Sequence, residues 1–204
     1  SDLTFTPGNE AIRKESSKLV VPRIGVRFRL PAEMEQVTYF GRGPEENYCD
    51  RNNGTLVGEY QATAEQMYFP YVRPQENGHH TDTRWLMLKK KNGKGLVVYA
   101  DGTLEFNSLR NSIEDFDGEE AVQRDYQWNN RDAEELKHDV STAKNIKPRQ
   151  THINDITPRD FVEVCLDMRQ MGVGGFDSWG AVPDPQYLIP ANKEYQWGFT
   201  IVPM

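Results

Sequence analysis

Ile24, Val26, Phe28 and Leu30 occupy every second position of their segment, with Gly25, Arg27 and Arg29 between them. A side-chain repeat of two belongs to a strand that lays one face on a core. The repeat returns at Val162, Val164, Leu166 and Met168, and again at Tyr195, Trp197, Phe199 and Ile201. Apolar residues 86–88 and 96–99 flank Asn92-Gly93, a dipeptide suited to a tight hairpin, and residues 37–40 read as a further strand. Helical spacing is confined to short pieces, residues 63–68 and 132–138. In the second, acidic residues precede Lys137 and His138, as the helix dipole favours. Strands separated by turn signals, without long crossover helices, predict an all-β antiparallel sandwich and not a barrel of alternating strands and helices. Residues 1–20 show little strand periodicity, and residues 118–148 are polar with few apolar positions.

Nine Phe, nine Tyr and four Trp suffice for a substantial core. The net charge of −7 argues against a phosphate backbone as partner, so nucleic acid is not expected. Lys89-Lys90-Lys91 is the one tight basic run, and it sits at the predicted hairpin end. Cys49 and Cys165 cannot make a disulfide scaffold and have no metal-site spacing; Cys165, inside a strand pattern, reads as a buried thiol. No apolar run reaches membrane-spanning length, and residues 1–5 lack the regions of a signal peptide, which leaves the compartment open between cytoplasm and periplasm.

Three segments combine glycines, charged groups and aromatics, as irregular backbone at a ligand site does: residues 40–51 (FGRGPEENYCDR), 71–78 (YVRPQENG) and 170–180 (QMGVGGFDSWG). In this order and spacing they resemble the C-terminal domain, the small chain or fifth domain, of bacterial-type glycoside hydrolase family 2 beta-galactosidases. The resemblance runs from about residue 21 to the end. It implies a large antiparallel supersandwich of the galactose-mutarotase type over residues 21–204, with residues 118–148 as an insertion. It also implies further strands ahead of residue 21, so the chain is expected to begin partway through its domain. The open sheet edge left in that case needs cover from residues near Leu3 and Phe5.

In the matching motif of the family, the tryptophan reaches an active site formed mainly by another domain and stacks on the sugar beyond the scissile bond. The resemblance therefore assigns substrate contact to Trp179, with Asp177 beside it. An indole matches the apolar CH face of a sugar, and a carboxylate its hydroxyl rim. The competing reading is a Trp packed in the core. Arg73, Glu76, Asn77 and His79 are weaker substrate-binding candidates, because the 73–78 loop reads first as a structural corner that satisfies backbone groups and only second as a ligand loop. Arg42 and Glu45 are expected to pair internally. Phe176 stands where a second acidic or polar residue is frequent in the family.

His79-His80 with Asp82 does not suggest a metal site, since adjacent strand residues face opposite ways; both histidines read as surface residues. No metal is expected within this chain, and the resemblance places the family's Mg and Na in other domains. No catalytic residue is expected here either. A retaining glycosidase needs two carboxyl groups about 5 to 5.5 Å apart, which the family holds in a barrel, and a barrel of about 250 residues cannot fit in 204.

The expected function is thus a non-catalytic domain that completes the active site of a beta-galactosidase acting on terminal β-galactosides. Its partners are the galactoside and the rest of the polypeptide, in a parent expected to be a homo-oligomer. One alternative is an autonomous carbohydrate-binding module. Another is a mutarotase-like enzyme using His79 or His80 with Glu76.

Overall fold

The computed structural model describes residues 2–5, 19–116, 153–177 and 180–204, with backbone alone for 2–5. Eight strands run β1 Asp2–Phe5, β2 Arg23–Pro31, β3 Gln36–Gly43, β4 Leu56–Thr63, β5 His80–Lys89, β6 Gly95–Leu109, β7 Phe161–Gln170 and β8 Tyr195–Pro203. All their pairings are antiparallel, and the only helical elements among the described residues are three-residue 3-10 segments. The all-β antiparallel sandwich expected from the period of two is the architecture found.

The chain divides into two compact units, and the larger (Ser1–Phe69, Asn77–Arg110, Arg159–Met204) carries every strand. Its sheet runs β1-β8-β6-β5-β3-β4, with β7 on β6 and β2 on β7. The fork arises at β6, whose 15 residues are long enough to hold two neighbours along one edge. Leu96 to Ala100 pair with β8, while Glu105 to Leu109 pair with β7. The β5–β6 hairpin turns at Gly93, whose φ of 88° lies in the region a side chain disfavours. The edge of β8 is covered by β1, with Leu3 opposite Trp197. A strand absent from the periodicity thus fills the place where cover was required.

Val37, Tyr39, Leu86, Leu88, Val98, Leu104, Phe106, Val162, Val164 and Leu166 form the core, nearly all sealed from solvent. Burying each large side chain among them is worth roughly 1.5–3 kcal/mol. In β2 the alternation is as read, with exposed residues at 25, 27, 29 and 31 between more covered ones. β7 differs, because Glu163, Cys165 and Asp167 are buried along with Val162, Val164 and Leu166. The register supplies the cause: Arg29 lies opposite Glu163, and its Nε is 2.8 Å from the carboxylate, with Arg27 at 3.6 Å. The polar face of β7 meets the arginines of β2 instead of water.

Residues 63–68 make a turn and not a helix. Thr63 N–H donates to Gln66 Oε1 at 2.8 Å and Gln66 N–H to Thr63 Oγ1 at 3.2 Å, capping chemistry closing a single turn. Phe69 then precedes Pro70, which disfavours helical backbone, and Asn77 clamps its main chain. Arg42 pairs with Asp82 and donates to the Thr55 carbonyl at 2.9 Å, while Glu45 is exposed. The expected Arg42–Glu45 partnership is therefore replaced by a cross-strand one.

The smaller unit comprises Pro70–Glu76 and Asn111–Pro158. In it, Asp115 Oδ2 accepts the Ser112 N–H at 2.9 Å, closing the 3-10 turn Ile113–Asp115, and Asn111 Nδ2 donates to Thr157 O at 3.0 Å. The expected insertion at 118–148 and helical spacing at 132–138 lie outside the described residues.

Candidate functional site

The glycine-rich segment after β7 is held residue by residue. Gln170 N–H donates to Glu105 Oε2 at 2.6 Å, Met171 N–H to Pro22 O at 2.9 Å, Gly172 N–H to Tyr187 O at 2.9 Å, and Gly174 N–H to Asp50 Oδ2 at 2.7 Å. Four amides held in this way leave the segment little freedom to rearrange. A Cβ on Gly172 would stand 2.5 Å from Asp50 Oδ2, so the missing side chain is what lets the carboxylate approach. Beyond this clamp the chain turns outward, with Val173, Phe176 and Asp177 exposed; Phe176 is 92% accessible. Asp177 Oδ1 accepts the Ala181 N–H at 3.3 Å, bracing the loop across its tip.

Beneath this segment lies an ionic network that sequence reading missed. His79 Nε2 faces Glu105 Oε2 at 3.0 Å, and its Nδ1 faces Asn107 Oδ1 at 2.7 Å. Asn107 Nδ2 donates to Asn77 O at 2.5 Å, which turns its oxygen toward the imidazole. The Glu105 and Asn107 oxygens favour a proton on each ring nitrogen, against which the Arg23 guanidinium stands 3.4 Å from Nδ1. Burial opposes the charge on the ring most strongly, but the hydrogen bond and charge of Glu105 prevail and hold His79 above its ordinary value of 6.5. Arg23 completes the group, with Nε 2.9 Å from Asp167 Oδ2 and a guanidinium nitrogen bonded to Asn107 Oδ1. Tyr48 stacks on the His79 ring at 5.3 Å.

His80 points the opposite way, as the strand alternation requires. It packs between Tyr39 and Phe106 at 5.0 and 5.1 Å, near the carbonyls of Gly78 and Pro44. Burial dominates here and lowers its pKa to about 4. Both histidines, expected at the surface, are fully buried, because the long β6 supplies acceptors on one side of β5 and an aromatic ring on the other.

Trp179 and Ser178 lie outside the described residues, and so do His138 and His152. Asn77 is buried with its amide engaged by the Phe69 backbone: Oδ1 accepts at 2.8 Å and Nδ2 donates at 2.5 Å. Arg73 is exposed and Glu76 half-buried in the smaller unit. The structure thus links His79, through Glu105, to the base of the loop carrying Asp177, and leaves Asn77 as a main-chain clamp. Glu105 and Asn107 carried no sequence signal, and Asp50 lay in the singled-out 40–51 segment without a role of its own. A trace existed for Glu163, since acids on one face of β7 match arginines on β2, but only the register pairs them. Neither cysteine is in a disulfide, and burial raises Cys49 above the ordinary thiol value. Among the described residues no cluster of three or more His, Cys, Asp or Glu is arranged to hold a metal ion.

Fold and site together define a β-sandwich scaffold domain, with an ion-paired interior that braces an outward, glycine-rich loop. The chain matches the family described as beta galactosidase small chain over residues 2–201, and it belongs to that family. A beta-galactosidase of Priestia megaterium is 30% identical over 212 residues, covering 99% of this chain and 17% of the relative. One from Streptococcus thermophilus is 31% identical over 90% of this chain and 15% of its own length, and one from Arthrobacter is 43% identical over 41% of the chain. The chain therefore spans about a sixth of the length of the first two relatives.

Proposed function

We propose that this chain is the C-terminal domain of a retaining beta-galactosidase, presenting its 171–180 loop to the sugar beyond the scissile bond while the catalytic carboxylates reside elsewhere in the polypeptide. The observation that carries the reading is the coverage: relatives named beta-galactosidase match 90–99% of this chain with only 15–17% of themselves. The buried acids of β7 fit the same view. Glu163 and Asp167 are occupied by Arg27, Arg29 and Arg23 and are not poised as an acid and nucleophile pair.

Trp179 supplies the ring in this reading, and Asp177 the polar edge. The clamp under residues 170–174 fixes the stretch that leads to Asp177, which lowers the ordering cost of binding there. Any Mg or Na the enzyme uses is held by other domains, and the galactoside and the remaining domains are the partners. The test is direct. The isolated chain should not hydrolyse lactose and should give no titration signal with millimolar galactose, whereas the complete polypeptide should turn lactose over. Hydrolysis by the isolated chain would overturn the proposal, and millimolar galactose binding without hydrolysis would favour a self-sufficient carbohydrate-binding module.

A further inference from the structure

We propose that Asp50 is a positioning residue for the substrate loop, an inference that rests on the proposed function. Asp50 is 124 positions from Gly174 in sequence, yet its Oδ2 accepts the Gly174 N–H at 2.7 Å. A Cβ at Gly172 or Gly174 would meet that oxygen at 2.5 or 3.1 Å, so two of the loop's glycines are shaped around this one carboxylate. The approach is too close for any other residue type at 172 without displacing Asp50.

Asp50 is itself on a rigid mount. Its turn is closed at both ends, with Arg51 N–H donating to Tyr48 O at 2.8 Å and Tyr48 N–H to Arg51 O at 3.3 Å. Arg51 pairs with Glu46 at 2.7 Å and lies over the Tyr48 ring, and Tyr48 is buried against His79. Glu46 also accepts the Gly78 N–H at 2.7 Å, so the turn is tied to the start of β5. The other carboxylate oxygen, Oδ1, is buried without a hydrogen bond among the described residues. Asp50 itself is half-buried, so its two oxygens are held differently: Oδ1 is shut in, and Oδ2 is committed to the Gly174 amide. Asp50 therefore sets where the exposed stretch from Val173 to Asp177 stands.

The experiment is steady-state kinetics of the complete polypeptide on lactose and on a nitrophenyl galactoside, with melting temperatures alongside. Asp50→Ala should raise KM for lactose about tenfold while kcat on the nitrophenyl substrate stays within about twofold. Asp50→Asn keeps an oxygen for the Gly174 amide and should restore lactose KM to within about threefold of the parent. Gly172→Ala, which drives the carboxylate away, should reproduce the Asp50→Ala effect, and the double variant should be no worse than either single one. Should Asp50→Ala not fold, the comparison of Asp50→Asn with Gly172→Ala carries the test. Equal loss on both substrates together with a lowered melting temperature would make Asp50 merely structural and overturn the inference. Unchanged lactose KM in Asp50→Ala and Gly172→Ala, with a raised one in Trp179→Ala, would overturn it while sparing the proposed function. Unchanged lactose KM in Trp179→Ala would overturn the proposed function, and the inference with it.

Discussion

His79 Nε2 lies 3.0 Å from Glu105 Oε2, and that same oxygen accepts the Gln170 amide from the base of the glycine-rich loop. One carboxylate thus balances a buried imidazolium and anchors the segment proposed to meet substrate. With His79 held above 6.5, its contribution to stability is fully present below the unfolded value and is lost as pH rises through the folded value.

Glu105→Gln separates the two tasks, because the amide oxygen can still accept from Gln170 while the charge is gone. The His79 resonance should then titrate at lower pH by NMR. The melting-temperature gap between parent and variant should be widest below about pH 6.5 and narrow at higher pH. A gap that does not change with pH would show that the charge of Glu105 is not what sustains His79.

His80 gives the opposite slope. Its folded pKa of about 4 lies below the unfolded 6.5, so stability is present above 6.5 and is lost as pH falls toward 4. The span corresponds to roughly 3 kcal/mol at most. His80→Phe should flatten that acid limb in urea unfolding at pH 7 and 5. At neutral pH it should cost about 1–3 kcal/mol, since a nearby carbonyl loses its donor. An unchanged acid limb would mean other groups govern it.

The ion pairs of β2 and β7 are asymmetric in burial. Glu163 is 3% exposed, whereas Arg27 and Arg29 are 42% and 52% exposed. Removing both arginines strips a buried carboxylate of two cations and should cost about 3–5 kcal/mol, whereas Glu163→Gln leaves arginines that water can solvate and should cost less. Chemical denaturation of the two variants decides the order, and a larger loss for Glu163→Gln would contradict it.

Trp179→Ala in the complete polypeptide should weaken binding of the leaving-group sugar and slow transfer to acceptor sugars, with the melting temperature little changed. A large melting loss with an unaltered substrate profile would identify the ring as core packing.

Strand identity was legible because a period of two is a local property: β2, β7, β8 and the β5–β6 hairpin could each be read from a few residues of apolar alternation or from Asn92-Gly93. β1 and β4 were not, since their residues lack that contrast and gain strand character from the neighbours they pair with. The 63–68 spacing misled for a related reason: one turn of capping chemistry cannot propagate into Phe69-Pro70.

From sequence alone came the all-β antiparallel class, set by short-range periodicity, and the three glycine-rich segments, whose order along the chain carries the resemblance to the family. Tertiary structure alone decided that His79 and His80 are buried, that Glu163 faces arginines and that Asp50 grips Gly174. The Arg29–Glu163 and Asp50–Gly174 contacts span 134 and 124 positions, and such contacts follow from how the strands register and where the loops are brought together, quantities that no local pattern of residues encodes.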